Sequence, residues 1–338
     1  MRCPTLRELP SPPAGKTGWP WTEESTPAPD VTPSGDPWPR ISIVTPSYNQ
    51  GAFLEETIRS VLLQGYPNLE YLVIDGGSTD GSVDIMRKYA PSIASSISEP
   101  DSGQSEAINK GFRQATGEIV AWMNSDDYLW PGVLERAAEI WRRSDPARFW
   151  VVFAIEHHDE ESGRRWVTPQ QQANALDDWL VGKVQVNQQG SFWSRSITEA
   201  VGLLDEDLHL GMDTEYFMRM VANGYRMERV NEVVGGTFRI HDASKTGNYH
   251  GEIVDRDQAF LYDWTLARLR HLPATHVRYR ELKTEFQRTL SYCELRFAQN
   301  RKLSRHVRAR HLLKAARLAP SSIFGKAFLG SARRLLTV

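Results

Sequence analysis

Residues 121–129, AWMNSDDYL, place an amide and two carboxylates directly after an apolar run. Adjacent aspartates repel each other, so burying Asp126 and Asp127 costs free energy unless a cation or a substrate proton shares them. Oxygen ligands of this kind suit Mg²⁺ or Mn²⁺, with water and ligand phosphates completing the coordination shell. The alternative is that both acids only cap the next helix or form a turn before Pro131. Because a cap needs one acid, the stretch predicts a metal site.

Three further polar residues lie where they could do chemistry. Asp75, in VIDGGSTDGS, can accept hydrogen bonds from a base or a ribose, and its glycine neighbours let the backbone approach a ligand. Asp213 leads the helix-like stretch GMDTEYFMRM, where it could also be only a helix N-cap, and Glu215 and Arg219 are spaced for an ion pair. His241 ends a strand in FRIHDAS, and such a lone histidine is more often a packed residue than a ligand.

The elements that must position these residues alternate between strand and helix from residue 40 onwards. They are, in order, RISIVTPSY, GAFLEETIRSVLLQ, LEYLVIDGG, DGSVDIMRKYA, IASSISEP, SEAINKGFRQA and GEIVAWMNSDD. This alternation predicts βαβ units, a parallel sheet and right-handed crossovers. A polar cluster follows each of the four strands: TPSYN, DGGSTDGS, EPDSGQ and NSDD. Ligands of such sheets collect beyond the carboxyl ends of the strands. We therefore expect the four clusters to meet in one crevice.

The second half of the chain is less regular. After a helix, GVLERAAEIWRR, come a strand RFWVVFAIEHH with a hairpin return RRWVTP, then VNQQGSFWSRS, GMDTEYFMRMVANG and the strand VVGGTFRIHDASKT. This half is richer in aromatic side chains, which suits a cover that binds a substrate ring. From about residue 252 the pattern becomes helical, and apolar residues recur with helical spacing at Leu282, Phe286, Leu290, Cys293 and Phe297.

Composition divides the chain into three parts. The first 40 residues hold ten of the 19 prolines, so residues 1–39 are predicted to form an extended arm, partly disordered or wrapped over the surface. Residues 40–250 are predicted to form one α/β domain, with halves 40–127 and 128–250, and residues 251–338 to form a basic helical region. From residue 266 to 338 there are 17 Lys and Arg against three acids, which favours an anionic partner. The last 18 residues, SSIFGKAFLGSARRLLTV, could lie on an anionic membrane surface, or pack against the catalytic domain or a second subunit.

Several function classes and locations are excluded or disfavoured. No G-x-G-x-x-G follows the first strand and no G-x-x-x-x-G-K-[ST] occurs, so the dinucleotide dehydrogenases and P-loop enzymes lack their phosphate cradle. The sequence contains no run of 18 apolar residues, so no membrane-spanning helix is predicted. The N-terminus lacks the apolar core of a secretory signal. Cys3 and Cys293 suggest neither a disulfide framework nor a thiolate metal site. We expect a cytoplasmic protein, peripheral at the inner face of the membrane if its basic end binds there.

Four stretches together resemble the family 2 glycosyltransferases, which are inverting enzymes of the GT-A fold. They are ISIVTPSYNQGAFLEETIRSVLLQGYPNLEYLVIDGGSTDGS, EPDSGQSEAINKGFRQATGEIVAWMNSDD, GSFWSRS and GMDTEYFMRM, and the resemblance covers roughly residues 40–245. It implies an α/β fold whose mostly parallel central sheet is flanked by helices, here with a C-terminal helical extension. Residues 40–250 would then be the catalytic domain, with 40–127 as its nucleotide-sugar half and 128–250 as its acceptor half. It also implies a UDP-, GDP- or dTDP-sugar donor, Mn²⁺ or Mg²⁺, and a hydroxyl on a glycan or lipid-linked acceptor, with no role for nucleic acid.

The same resemblance implies a set of site residues. The nucleotide-binding set is Thr45, Pro46, Ser47, Tyr48, Asp75, Asp101, Gln104, Asn109, Asn124 and Ser125, with Asp75 at the base and the segment from Asp101 to Asn109 near the diphosphate. The D-x-D motif of the family falls on Asn124, Ser125 and Asp126, so its first acid is an amide here. Asp126 and His241 correspond to metal ligands, and Asp213 corresponds to the general base.

We therefore expect a metal-dependent, inverting hexosyl- or glycosyltransferase of polysaccharide or glycolipid biosynthesis. The missing first acid leaves a second interpretation open, a catalytically inactive nucleotide- or glycan-binding relative. Retention of both Asp126 and Asp213 favours the enzyme, because a binding protein needs no base. A sugar-nucleotide pyrophosphorylase would need a Gly-rich basic loop after the first strand, and TPSYNQG contains no Lys or Arg.

Overall fold

A nine-stranded sheet runs through the protein, whose computed structural model describes residues 1–184, 186–244, 256–300, 303–320, 327–329 and 331–332. The strands are β1 Ile41–Ser47, β2 Leu69–Asp75, β3 Ser95–Ser98, β4 Ile119–Trp122, β5 Tyr128–Leu129, β6 Trp150–Asp159, β7 Arg165–Thr168, β8 Ser191–Ser194 and β9 Glu228–Ile240. The helices are α1 Gly51–Leu62, α2 Ser82–Tyr89, α3 Gln104–Gln114, α4 Val133–Arg143, α5 Leu176–Leu180, α6 Arg195–Val201, α7 Met212–Ala222, α8 Arg256–His271, α9 Tyr279–Gln299 and α10 Arg305–Leu318. The predicted alternation of strand and helix is confirmed from β1 to β4, after which the two-residue strand β5 precedes α4.

The first half of the sheet is parallel, in the order β3, β2, β1, β4. The last residues of three strands lie in register, with Ser47 opposite Asp75 and Asp75 opposite Ser98. Because these strands end together, the polar loops that follow them emerge at the same edge of the sheet.

The second half of the sheet is mixed. It continues from β4 through β8, β6 and β9 to β5, with β7 paired to β6 as an antiparallel hairpin. β9 is 13 residues long, and its Thr237 lies opposite Tyr128 of β5. The backbone N–H of Arg239 then donates to Asp127 Oδ1 at 2.9 Å. This pairing brings His241, two residues further on, next to Asp126.

Aromatic side chains of the second half form a core rather than a cover. The ring centroids of Trp122 and Trp193 are 5.5 Å apart, and Phe217 of α7 stacks on Trp150 at 5.5 Å and on Trp122 at 6.2 Å. All four side chains are buried. The expectation that aromatic side chains of the second half would cover a substrate ring was therefore wrong for Trp150, Trp193 and Phe217, because they pack with Trp122 of β4 and hold α7 against the sheet.

The first 40 residues are wrapped over α1 with almost no regular secondary structure. The side chain of Arg59, which is fully buried in α1, donates to the backbone carbonyl oxygens of Pro10, Pro20 and Trp21 and to the hydroxyl of Tyr89. A guanidinium group with this many acceptors holds the proline-rich segment in one place without a helix or a sheet.

The C-terminal helices pack in sequence: α8 lies against α7, and α9 lies against both α8 and α10. Their amphipathic faces account for the predicted apolar spacing, since Leu282, Phe286, Leu290, Cys293 and Phe297 are all buried. None of the helices in the described part of the chain is long and apolar enough to cross a membrane.

Candidate active site

The loops after β1, β2, β3 and β4 line one cavity of about 730 Å³. Of the residues predicted from the sequence, eight line it: Pro46, Ser47, Tyr48, Asp101, Gln104, Asn124, Ser125 and Asp126. Its volume falls in the range of ~300–1,000 Å³ that is usual for small-molecule sites. The structure thus brings four separate strand ends to one place, at the edge where open α/β sheets bind ligands.

Three predicted nucleotide-binding residues do not line this cavity. Thr45 is fully buried and accepts a hydrogen bond from the Tyr71 hydroxyl at 3.0 Å. The carboxylate of Asp75 accepts hydrogen bonds from the backbone N–H groups of Gly77 and Ser78 and from the hydroxyl groups of two serines, Ser78 and Ser98. These two side chains therefore shape the loops around the cavity, and a direct contact with a nucleotide stays a prediction.

Asn109 is the third of these residues. It is buried in α3, its Nδ2 donates to the carbonyl oxygen of Leu204 at 2.9 Å, and its Oδ1 accepts from the N–H of the same residue at 2.9 Å. It therefore fixes the loop that precedes α7. Asp101 does line the cavity, where partial burial raises the pKa of its carboxyl group.

Asn124, which replaces the first acid of the D-x-D pattern, connects two neighbours. Its Oδ1 accepts from Gln104 Nε2 at 2.8 Å, and its Nδ2 donates to Asp127 Oδ2 at 3.0 Å. Asp127 is buried and also accepts from Gln189 Nε2 at 2.9 Å. Burial, and then the negative charge of Asp126, raise the pKa of Asp127 well above its ordinary value. An amide at position 124 thus supplies a donor to a carboxylate that is costly to ionise.

Replacing Asn124 by Asp, which would restore the D-x-D pattern, should weaken the site instead of improving it. The change removes the donor to Asp127 and adds a third carboxylate beside two others, and losing a hydrogen bond to a charged group costs about 1.5–3 kcal/mol. We expect a fall of several degrees in melting temperature at pH 8 without divalent cations, measured by calorimetry. Added Mn²⁺ should recover part of it. Unchanged stability in EDTA together with higher activity would contradict this account.

Asp126 and His241 form the part of the site that fits a divalent cation. Asp126 Oδ2 and His241 Nε2 are 3.3 Å apart, close to the spacing of about 3 Å between adjacent ligands of an octahedral ion. The imidazole ring is held by Phe53, whose ring centroid lies 4.1 Å away. In the described part of the chain no three His, Cys, Asp or Glu side chains form a complete metal site. A cation held by Asp126 and His241 would therefore take its remaining ligands from water and from a ligand.

Asp213 lies on a second, smaller cavity of about 120 Å³ next to the first. Asp126, Gln104, Asn124 and His209 line both cavities, so the two adjoin at the D-x-D segment. Asp213 is the second residue of α7, and the residue at the cap position is Gly211. Asp213 Oδ1 accepts from the backbone N–H of Thr214 at 2.7 Å, so its carboxylate is not an N-cap.

Glu215 pairs with Arg219 as its spacing predicts, with 2.7 Å between Oε2 and the guanidinium. The structure adds a partner from α8, because His271 Nε2 is 2.7 Å from Glu215 Oε1. Burial alone would raise the pKa of Glu215, but the hydrogen bond from His271 and the charge of Arg219 bring it below its ordinary value. Glu215 therefore joins α7 to α8 and does not line either cavity.

Asp263 of α8 is a residue that no sequence signal pointed to. Its Oδ2 accepts hydrogen bonds from the backbone N–H groups of His209 and Leu210 at 2.8 Å each, and of Gly211 at 3.4 Å. His209 and Leu210 line the smaller cavity, directly before the helix that carries Asp213. The C-terminal helices thus fix one wall of the site.

Gln188 and Gln189 were also missed as site residues. They form a short 3-10 turn before β8 and line the smaller cavity with Trp122 and Phe238. The pair of amides shortly before the apolar residues Phe192 and Trp193 was the signal that could have found them, since buried amides need partners.

A family model described as Glycosyl transferase family 2 matches residues 42–201. An uncharacterized glycosyltransferase of Mycobacterium tuberculosis is 31% identical over 183 residues, which are 54% of this chain and 68% of that protein. One from Nostoc is 36% identical over 122 residues, or 35% of this chain and 36% of that protein. A PGL/p-HBAD biosynthesis glycosyltransferase of Mycobacterium bovis is 25% identical over 224 residues, covering 65% of this chain and 82% of that one.

Solved structures share the fold. TarS 1–349 of S. aureus in complex with UDP-GlcNAc has a TM-score of 0.58 and 16% identity, covering 87% of this chain and 92% of that chain. The mannosyltransferase PcManGT from Pyrobaculum calidifontis, in complex with GDP-Man and Mn²⁺, has a TM-score of 0.53 and 21% identity, covering 94% of this chain and 91% of that one. The predicted GT-A type of α/β fold is confirmed by these likenesses.

Proposed function

We propose that this chain, which belongs to glycosyl transferase family 2, moves a sugar from a nucleotide-sugar donor to an acceptor hydroxyl with inversion of the anomeric carbon. One observation carries the proposal: Asp126 and Asp213 line the same small cavity, which shares Gln104, Asn124, Asp126 and His209 with the larger cavity at the strand ends. A pair of carboxylates on one small cavity can divide two tasks, holding a cation beside a leaving diphosphate and accepting a proton from an alcohol.

The larger cavity suits the nucleoside diphosphate. Its volume of about 730 Å³ holds a ligand of that size, and Gly76, Gly77 and Gly103 let the backbone approach phosphate oxygens or a base. The smaller cavity, of about 120 Å³, suits the sugar that is transferred. A donor that spans both would place its diphosphate at their junction, where Asp126 lies.

Asp126 and His241 would hold the divalent cation at that junction. Bound there, Mn²⁺ or Mg²⁺ would supply countercharge for the diphosphate as it leaves. Asp213 is placed to accept the proton of the attacking hydroxyl, a role worth typically ~10²–10⁴ in rate. A single displacement inverts the anomeric configuration and needs no enzyme nucleophile. The Mn²⁺ and GDP-Man bound to the similar mannosyltransferase support this assignment.

A donor screen tests the proposal. The purified protein is incubated with UDP-, GDP- and dTDP-sugars with Mn²⁺, Mg²⁺ or EDTA, and released nucleoside diphosphate is measured. Thermal stabilisation by each donor is measured in parallel, because a ligand of the folded state raises the melting temperature. Metal-dependent release from at least one donor is the expected result. Stabilisation without release or transfer to any acceptor would identify a binding protein. The absence of both stabilisation and release would refute the proposal.

We further propose that the protein acts in polysaccharide or glycolipid synthesis in the cytoplasm. Its acceptor would be a glycan or a lipid-linked molecule, and its basic C-terminal end would contact the membrane. α10 supports the membrane contact, because it contains five Lys and Arg and no acid. Its exposed residues include Arg310, Leu313, Lys314 and Arg317, and Leu313 is 61% exposed. Most of the segment 321–338, on which the sequence prediction rested, lies outside the described residues.

Vesicle flotation tests the membrane contact. We expect binding to phosphatidylglycerol vesicles at low salt, weak binding to phosphatidylcholine vesicles, and loss of binding as salt screens the charges. Reversing two charges with Arg310→Glu and Arg317→Glu should lower the bound fraction roughly 10-fold or more, because each basic residue near an anionic surface contributes ~1 kcal/mol. Arg87→Glu, on the exposed face of α2, is the matched control. Absence of binding by the wild type at low salt would remove the membrane from the proposal.

A further inference from the structure

The side-chain amide of Gln188 is buried, with its Nε2 group hydrogen-bonded and its Oε1 atom unpaired among the described residues. Its side chain is 3% exposed, and its Nε2 donates to the backbone carbonyl oxygen of Trp122 at the end of β4. A carbonyl oxygen can only accept, so this contact fixes which end of the amide faces β4. Its Oε1 therefore points away from that carbonyl, and it has no hydrogen-bond partner among the described residues.

An unpaired buried acceptor costs free energy, and few remain in folded proteins without a reason. Gln189, its neighbour, uses its Nε2 to bind Asp127, so the same turn satisfies one amide and leaves the other incomplete. Gln170 differs from Gln188 because both ends of its side-chain amide are hydrogen-bonded. It is equally buried, its Nε2 donates to the carbonyl oxygens of Phe153 and Asn187, and its Oε1 accepts from the Asn187 N–H.

The location of Gln188 indicates what would complete it. It lines the cavity of about 120 Å³ that also contains Asp126 and Asp213. An amide oxygen needs a donor, and a phosphate or a carboxylate at neutral pH has none to offer. A hydroxyl group has one. Among the parts of a nucleotide-sugar, the group that fits a small cavity and presents hydroxyl groups in several directions is the sugar.

We infer that Gln188 determines sugar specificity, by accepting at Oε1 a hydrogen bond from a hydroxyl group of the sugar bound between Asp126 and Asp213. This inference rests on the proposed function and names the residue that selects its substrate. The hydroxyl belongs to the transferred sugar, since Gln188 shares its cavity with Asn124 and Asp126 at the diphosphate end. An acceptor hydroxyl offers the same chemistry, and the experiment separates the two sources.

The test uses Gln188→Met, which keeps the length of the side chain and removes both its Oε1 acceptor and its Nε2 donor to Trp122. Calorimetry with Mn²⁺ measures the affinity of wild type and variant for UDP, GDP, UDP-GlcNAc, UDP-Glc and GDP-Man. Donor hydrolysis without acceptor is then measured for the donor that the wild type accepts and for its deoxy analogues, each of which lacks one ring hydroxyl. Gln170→Met is the matched control, because it perturbs an equally buried amide that lines neither cavity.

We expect Gln188→Met to bind the free nucleoside diphosphate as the wild type does, which also shows that the site is folded. Its kcat/KM for the full donor should fall roughly 10-fold or more. The wild type should discriminate by a similar factor against one deoxy donor, and the variant should not discriminate. Gln170→Met should lose stability and keep the discrimination. A change confined to the KM of the acceptor would assign the hydroxyl to the acceptor.

Equal discrimination against every deoxy donor in wild type and variant, with an unchanged acceptor KM, would overturn the inference while leaving the proposed function intact. If no nucleotide-sugar binds to the wild type any better than its nucleoside diphosphate, the cavity is not a sugar site and the inference falls. If neither nucleotide-sugars nor nucleoside diphosphates bind, the proposed function fails, and the role of Gln188 fails with it.

Discussion

Asp213→Asn should lower the rate of sugar transfer by roughly 10²-fold or more, the low end of the range for a general base. The asparagine oxygen can still accept the hydrogen bond that Asp213 Oδ1 takes from Thr214, so the start of α7 should keep its structure. An amide cannot take a proton from an alcohol at neutral pH. The rate is measured with saturating donor and metal, and donor affinity is measured separately and should be unchanged.

Asp207→Asn is the matched control for this prediction. Asp207 is an exposed acid on the loop before α7, six residues before Asp213, and it lines neither cavity. Glu215→Gln is unsuitable as a control, because Glu215 is buried between Arg219 and His271 and its loss would disturb the packing of α7 on α8. If Asp213→Asn transfers sugar at nearly the wild-type rate, Asp213 has a structural role only.

Asp126→Ala should abolish metal-dependent activity, a loss of at least about 10²-fold, since even indirect changes around a metal site cost 10–100-fold. The protein should stay folded, because the hydrogen-bond partner of the Asp126 carboxylate among the described residues is His241. Mn²⁺ binding by calorimetry, donor hydrolysis and thermal unfolding are measured together.

Glu99→Gln, an exposed acid after β3 that pairs with Lys110, serves as the control for Asp126→Ala and should keep full activity. Wild-type activity that survives EDTA, or full activity of the Asp126 variant, would remove the cation from the mechanism. Unfolding of the variant in the absence of metal would instead assign Asp126 a role in stability.

The parts of the site that lie on regular elements could be predicted from the sequence. Hydrophobic periodicity placed β1 to β4, and parallel strands end at one edge, so the convergence of Ser47, Asp101 and Asn124 followed from local pattern alone. The proximity of Asp126 and His241 could not be predicted from local pattern. Asp126 and His241 are 115 residues apart, and the strand pairing of β9 with β5 that joins them has no local signature. The family resemblance supplied that connection.

Other features depended on tertiary contacts that no sequence pattern encodes. No sequence feature distinguishes Asp263 from other acids on helices, and only the packing of α8 brings it to the loop before α7. Thr45, Asp75 and Asn109 lie in segments that border the cavity, but strand register and local turns direct their side chains into the protein rather than into the cavity. Sequence position therefore predicted the loops of the site better than the orientation of each side chain.

The carboxylate of Asp263 has a consequence for the entropy of ligand binding. A loop that orders only when its ligand arrives loses backbone freedom at that moment, about 1–2 kcal/mol per residue, and affinity falls accordingly. Here the backbone N–H groups of His209, Leu210 and Gly211 are hydrogen-bonded to Asp263 of α8. The fold itself therefore orders this wall of the smaller cavity, and a ligand of the cavity would not lose affinity by ordering it.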